Sequence, residues 1–171
     1  YWSVYLQSLS FTPGQIGELM AISLTAKVFA PYLWGWLADH TGKRIGVIRL
    51  TSFGAALVFS ATIYHQSYWT LALILAGYSF FWHAALPQFE AVTMNYLGAQ
   101  RTRYSLIRLW GSIGFILSVV ILGWWFDRAA ITNLPTVLMF LLSAIWVVTL
   151  LLKNAANSQG VLDHAPMGEI L

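Results

Sequence analysis

Long apolar runs broken by short polar turns set the pattern of this chain. The runs predict spans at about residues 15–37, 45–64, 68–96, 104–126 and 136–152, with a shorter apolar piece at 1–9. About 20 apolar residues cross a bilayer as a helix, so each long run is of spanning length. The breaks carry their own signals. Thr12-Pro13-Gly14 read as a turn, with Thr12 an N-cap and Pro13 suited to a first helical turn. His65-Gln66-Ser67 form a short turn, and Pro87 predicts a kink inside the fourth span. Residues 97–103 and 127–135 read as loops, and 153–171, polar and rich in Ala, Asn and Gly, as the start of a flexible linker. The fold class expected is all-α and integral to a membrane.

Composition agrees. Of 171 residues, 58% are hydrophobic and 9% charged, against about 25% charged in a soluble domain. There are no cysteines, so nothing follows about redox compartment. Residue 1 is Tyr, inside an apolar run that lacks a signal peptide's basic start. The chain therefore reads as a fragment whose first span is truncated. Lys43, Arg44, Arg101, Arg103 and Lys153 fall in turns on one side, and only Arg128, beside Asp127, on the other. The positive-inside rule then puts the first side, and both ends of the segment, in the cytoplasm of an inner membrane. The net charge of +3 follows from this topology and implies no nucleic-acid partner. No His-Glu-x-x-His zinc motif and no Gly-x-Ser-x-Gly elbow occurs, so an enzyme is not expected. Neither a cofactor nor a metal is expected.

Lys27, His83, Glu90 and Arg108 all lie within the apolar runs. Each costs about 2.5–3.5 kcal/mol on insertion scales and usually faces a cavity or a partner. His83, Pro87 and Glu90 are spaced i, i+4, i+7 and share one helix face. Glu90 lies seven residues before Leu97, and Arg108 five residues after Arg103. Across an antiparallel hairpin the two then sit at similar depth and can form a charge-assisted pair. Phe115, seven residues beyond Arg108, extends that face. An acid, a cation and an aromatic plate can together hold a polar, ring-bearing ligand. The plainer readings are a structural ion pair for Glu90–Arg108, a snorkelling side chain for Lys27 and a hydrogen-bonded core residue for His83. A non-transporting receptor would not need Lys27 and Glu90 inside the bilayer.

Gly35, Asp39, Gly42, Lys43 and Arg44 form the pattern G-x-x-x-D-x-x-G-K-R between the second and third spans. It resembles the corresponding loop of major facilitator transporters, which usually have a basic residue where this chain has His40. Gly35 would let two helices approach, Asp39 cap the next helix, and Gly42 permit the reversal. Arg108-Leu-Trp-Gly-Ser-Ile-Gly-Phe115 is similar to the fifth-span motif of the family's sugar and aromatic-acid permeases, the lactose and phenylpropionate permease types. There an arginine and, seven residues on, a tryptophan bind sugar, with a glutamate 18 residues before the arginine. Glu90 keeps that spacing, Phe115 replaces the tryptophan, and Lys27 stands where lactose permease is apolar. Ile22-Ser23-Leu24, Phe29 and Pro31 also fit the family's second span. The resemblance implies the N-terminal six-helix half of a 12-span bundle. It further implies proton-coupled import of a small aromatic carboxylate, with a sugar or nucleoside as the alternative and an exporter as a further one. Lys27, Glu90, Arg108, Phe115 and His83 would bind substrate, and the Gly35–Arg44 loop would gate the conformational change. The implied partners are substrate, protons, the bilayer and a C-terminal six-span half, which would carry the proton relay.

Overall fold

The computed structural model describes residues 1–152, apart from the side chains of Ala99 and Arg101; the expected linker at 153–171, with Lys153, lies outside the described residues. Six α-helices follow one another: α1 Trp2–Ser8, α2 Pro13–Thr41, α3 Arg44–Ser60, α4 Tyr68–Leu97, α5 Tyr104–Phe126 and α6 Leu134–Leu150. Short 3-10 turns extend α3 over Ala61–Ile63, join α4 to α5 over Gly98–Arg103 and precede α6 over Ile131–Asn133. The helices α2 to α6, some with their flanking turns, are long and apolar enough to cross a membrane.

Local chemistry explains the ends. Thr12 caps α2 through a reciprocal pair with Gln15: its Oγ1 accepts from the Gln15 amide at 3.3 Å, and its own amide donates to Gln15 Oε1 at 3.0 Å. Gly42 ends α2 in the left-handed region at φ 65, where a side chain would be strained. Pro31 and Pro87 both lie inside continuous helices. The expected cap on α3 does not form. Lys43 occupies the N-cap position without a side-chain hydrogen bond. Asp39, inside the last turn of α2, instead bonds the Arg44 guanidinium at 2.5 Å. A cation five residues on is a stronger partner for a carboxylate than the amides of the following helix.

Most packing joins α2, α3, α4 and α6. In lipid there is no hydrophobic drive between helices, so close approach of small side chains and specific hydrogen bonds hold them. Ala30, Ala38 and Ala84 are fully buried where α2 crosses α4. Trp34 packs there beside Val47, and its indole N–H donates to the Phe80 carbonyl at 3.1 Å. Gly54 of α3 leaves room for the Phe81 ring; a Cβ at 54 would come within 2.8 Å of it. Between α3 and α6, Ala56 and Phe59 meet Leu142, and Phe53 meets Trp146 at 5.1 Å between ring centroids. A further cluster at the Tyr68 end gathers Tyr5, Leu6, Leu19, Leu71, Phe126 and Leu134. It ties α1 and the end of α5 to the rest.

Candidate functional site: a polar seam on α2, α4 and α5

Lys27 stands midway along α2 and its side chain is exposed. One turn before it, Ser23 Oγ lies 2.7 Å from Ser79 Oγ of α4, a side-chain bridge across the crossing. His83, one turn after Ser79, lies beside the Ser23 main chain and within electrostatic reach of Lys27. The histidine is half-buried between α2 and α4 and stands beside the lysine. A cavity of about 160 Å³ adjoins Ser23 and is lined by Trp2, Met20 and Tyr78 among others.

Two turns past His83, Glu90 reaches α5. Its Oε1 accepts from Arg108 Nη1 at 3.3 Å, so acid and cation meet across the hairpin through one N–H rather than a two-pronged fork. Arg108 Nη1 also lies 3.5 Å from the Tyr104 hydroxyl, one turn back on α5. Both partners are open to their surroundings, which leaves guanidinium donors for a ligand. Phe115 is 70% exposed and free to stack. The ion pair sits at the rim of the α4–α5 hairpin, because α5 stands away from the packed helices and every residue from Ser105 to Ile121 is exposed.

At the Asp39 end the loop residues keep local company. Asp39 holds Arg44, His40 stacks on Trp36 at 5.2 Å, and Lys43 is exposed. Gly35 faces Gln88 of α4, and a Cβ there would lie 3.6 Å from Gln88 Nε2, an ordinary contact. The close approach expected of Gly35 therefore needs a small residue, not a glycine.

Arg49 is an anchor of the scaffold that the sequence reading missed. It lies inside the span expected over residues 45–64, where nothing in the sequence singles it out. In the fold it crosses to α6 and donates to the carbonyls of Thr149, Leu150 and Leu152 at 3.2, 3.1 and 2.8 Å. A cation on the unsatisfied carbonyls of a helix C-terminus answers both their hydrogen-bonding need and the helix dipole. The partners are main-chain atoms about 100 positions away, so no side-chain pattern signals them. Among the described residues, no cluster of three or more His, Asp or Glu is arranged to hold a metal ion.

Apolar spanning helices that carry a line of hydrogen-bonded and charged groups mark a multi-pass membrane protein. A family model described as the MFS_1 like family matches residues 1–169, and the chain belongs to that family. It is 30% identical to the maltose permease of Geobacillus stearothermophilus over 97% of this chain and 40% of the relative. It is 25% identical to a probable 3-phenylpropionic acid transporter of Escherichia coli (strain K12), over 72% of this chain and 32% of the relative. An uncharacterized transporter of Bacillus subtilis (strain 168), YwbF, is 28% identical over 71% of this chain and 31% of the relative. The chain thus spans well under half the length of these relatives. No solved structure matches it. Family and relatives are transporters, not enzymes.

Proposed function

We propose that this chain supplies one wall of a proton-coupled importer of small aromatic carboxylates. One observation carries the reading: among the described residues Arg108 has an acidic partner and Lys27 has none. The seam therefore holds one uncompensated cation midway through a membrane helix, where an unpaired charge is costly. A bound carboxylate gives it a partner. Arg108, partly neutralised by Glu90, would fix the substrate's polar end, Phe115 would stack its ring, and His83 would orient Lys27. Similarity to a phenylpropionic acid transporter supports the aromatic acid, and similarity to a maltose permease supports a sugar as the second reading.

The same reading places the Asp39 end in the cytoplasm of an inner membrane, since the basic turns gather there. Protons and a second six-span half complete the machine. Gly35, Asp39, Gly42, Lys43 and Arg44 act as its gate, with the Asp39–Arg44 pair exchanging partners between states. Asp39→Asn should then slow exchange more than it weakens binding; normal transport with weakened binding would exclude the gate.

The deciding experiment is Lys27→Met in the full-length protein, with binding measured for an aromatic acid, its uncharged amide and maltose. Loss of one charge-assisted hydrogen bond is worth about 1.5–3 kcal/mol, or roughly 10- to 150-fold in affinity for the acid. The amide and the sugar should change little. Acid binding that survives Lys27→Met, or wild-type binding of maltose alone, would transfer the assignment to the sugar reading.

A further inference from the structure

α2 has a second, mostly apolar face with one carboxylate at its end. Glu18, Ile22, Thr25 and Phe29 recur at helical spacing and line a groove of about 590 Å³ against Tyr68, Ala76 and Phe80 of α4. Glu18 and Lys27 are nine positions apart, which at about 100° per residue puts them on opposite sides of the helix. If Lys27 faces the substrate, the groove faces the bilayer; this is the one point at which the inference rests on the proposed function.

The walls are apolar. Ala21, Ala26 and Ala76 leave the width, and the Thr25 hydroxyl is spent on the Ala21 carbonyl at 2.9 Å. The charge in the groove is the Glu18 carboxylate. Its Oε2 accepts from the Tyr68 hydroxyl, which leaves lone pairs for further donors. No Lys, Arg or His pairs with it among the described residues. Glu18 lies five residues in from Pro13, roughly 8 Å at about 1.5 Å per residue. That is level with a girdle of aromatic rings: Phe11 against Tyr68 at 6.3 Å, and Tyr68 against Trp69 at 5.2 Å. Such girdles mark the depth of lipid headgroups.

We propose that the groove seats a bilayer lipid with a primary-ammonium headgroup. Its ammonium bonds Glu18, and one acyl chain runs between Ala21, Ala26 and Ala76 towards Phe29 and Phe80. Charge complementarity selects the headgroup. An anionic phosphatidylglycerol would meet an unneutralised carboxylate, and a phosphocholine has no N–H to donate. The apolar channel below, open along its length, matches a chain better than a compact solute.

The test is native mass spectrometry of the full-length protein released from detergent with equal amounts of phosphatidylethanolamine, phosphatidylglycerol and phosphatidylcholine. The expected result is retention of phosphatidylethanolamine over the other two by roughly tenfold, the worth of one charge-assisted hydrogen bond. Glu18→Gln should abolish that preference while aromatic-acid binding stays unchanged, which separates failure here from failure of the proposed function. Tyr68→Phe, which keeps the carboxylate, should retain the preference. Equal retention of the three lipids by wild type would overturn the proposal. So would an unaltered preference in Glu18→Gln, or a loss as large in Tyr68→Phe. Cross-linking of a cysteine at position 25 to another part of the protein would show that a helix, not lipid, fills the groove.

Discussion

α3 and α5 are both spanning helices, yet they sit in opposite environments. More than half of the most apolar stretch of α3 is buried in the fold, and none of that of α5 is, although α5 is the more apolar of the two. Hydropathy measures how well a helix dissolves in lipid, and lipid is as apolar as leucine. Packing depends instead on small residues and on polar groups that need partners. α3 has Ser52, Gly54, Ala55 and Ala56 against its neighbours and Arg49 clasping α6. On α5, Gly111 and Gly114 have nothing within 4 Å of where a Cβ would stand. Its charged contact with α4 is the Glu90–Arg108 pair. The buried helix is scaffold, and the open one carries Arg108 and Phe115 of the seam proposed for substrate.

That contrast can be broken by mutation. The largest effect on stability should come from Arg49→Met, which takes the guanidinium donors from three carbonyls at the end of α6 and leaves that of Thr149 with the Leu152 amide. We expect a loss of about 1.5–3 kcal/mol, the range for hydrogen bonds to a charged group. It would be read as a lower unfolding temperature in detergent, with faster amide exchange over residues 149–152. A variant as stable as wild type would show that the clasp contributes nothing.

Next come paired glycine substitutions. Gly54→Ala must push the Phe81 ring and should cost about 1–3 kcal/mol. Gly114→Ala meets open space and should stabilise the helix by up to about 1 kcal/mol. Measured in residues 1–171 and in the full-length protein, the pair also sharpens the comparison. If Gly114→Ala destabilises the full-length protein alone, α5 is covered there by a part of the protein beyond this chain.

The smallest effect on stability belongs to the seam. Glu90→Gln and Arg108→Gln break a pair in which both side chains are more than two-fifths exposed, so unfolding should shift by less than about 1 kcal/mol. Substrate affinity in the full-length protein should still fall by roughly tenfold or more. Stability loss without a change in affinity would return the pair to the structural role that the sequence also allowed.

The helices themselves were legible in the residues. Thr12-Pro13 and Gly42 mark the two ends of α2 because a cap and a left-handed turn demand those side chains. The reading of a membrane transport family was equally accessible, through Gly35, Asp39, Gly42, Lys43, Arg44 and the spacing of Glu90 from Arg108. What could not be read were contacts with main-chain atoms or between distant helices. Asp39 looked like a cap, while Arg49 and Glu18, inside two of the expected spans, drew no reading of their own. Each acquired its partner only when α6, Arg44 or Tyr68 was brought to it.

The sequence by itself therefore determined that the chain is helical and membrane-spanning, because apolar run length and turn chemistry are local properties; its major facilitator kind was legible only through resemblance of the Gly35–Arg44 and Glu90–Arg108 patterns to that family. Tertiary structure decided which helices pack and which stand open. It also decided that Arg108 meets Glu90 while Lys27 has no acidic partner among the described residues, and that Glu18 overlooks a groove on the opposite side of α2. Those outcomes depend on how α2, α4 and α5 cross, and crossing geometry arises from small-residue fit between segments that no single stretch of sequence contains.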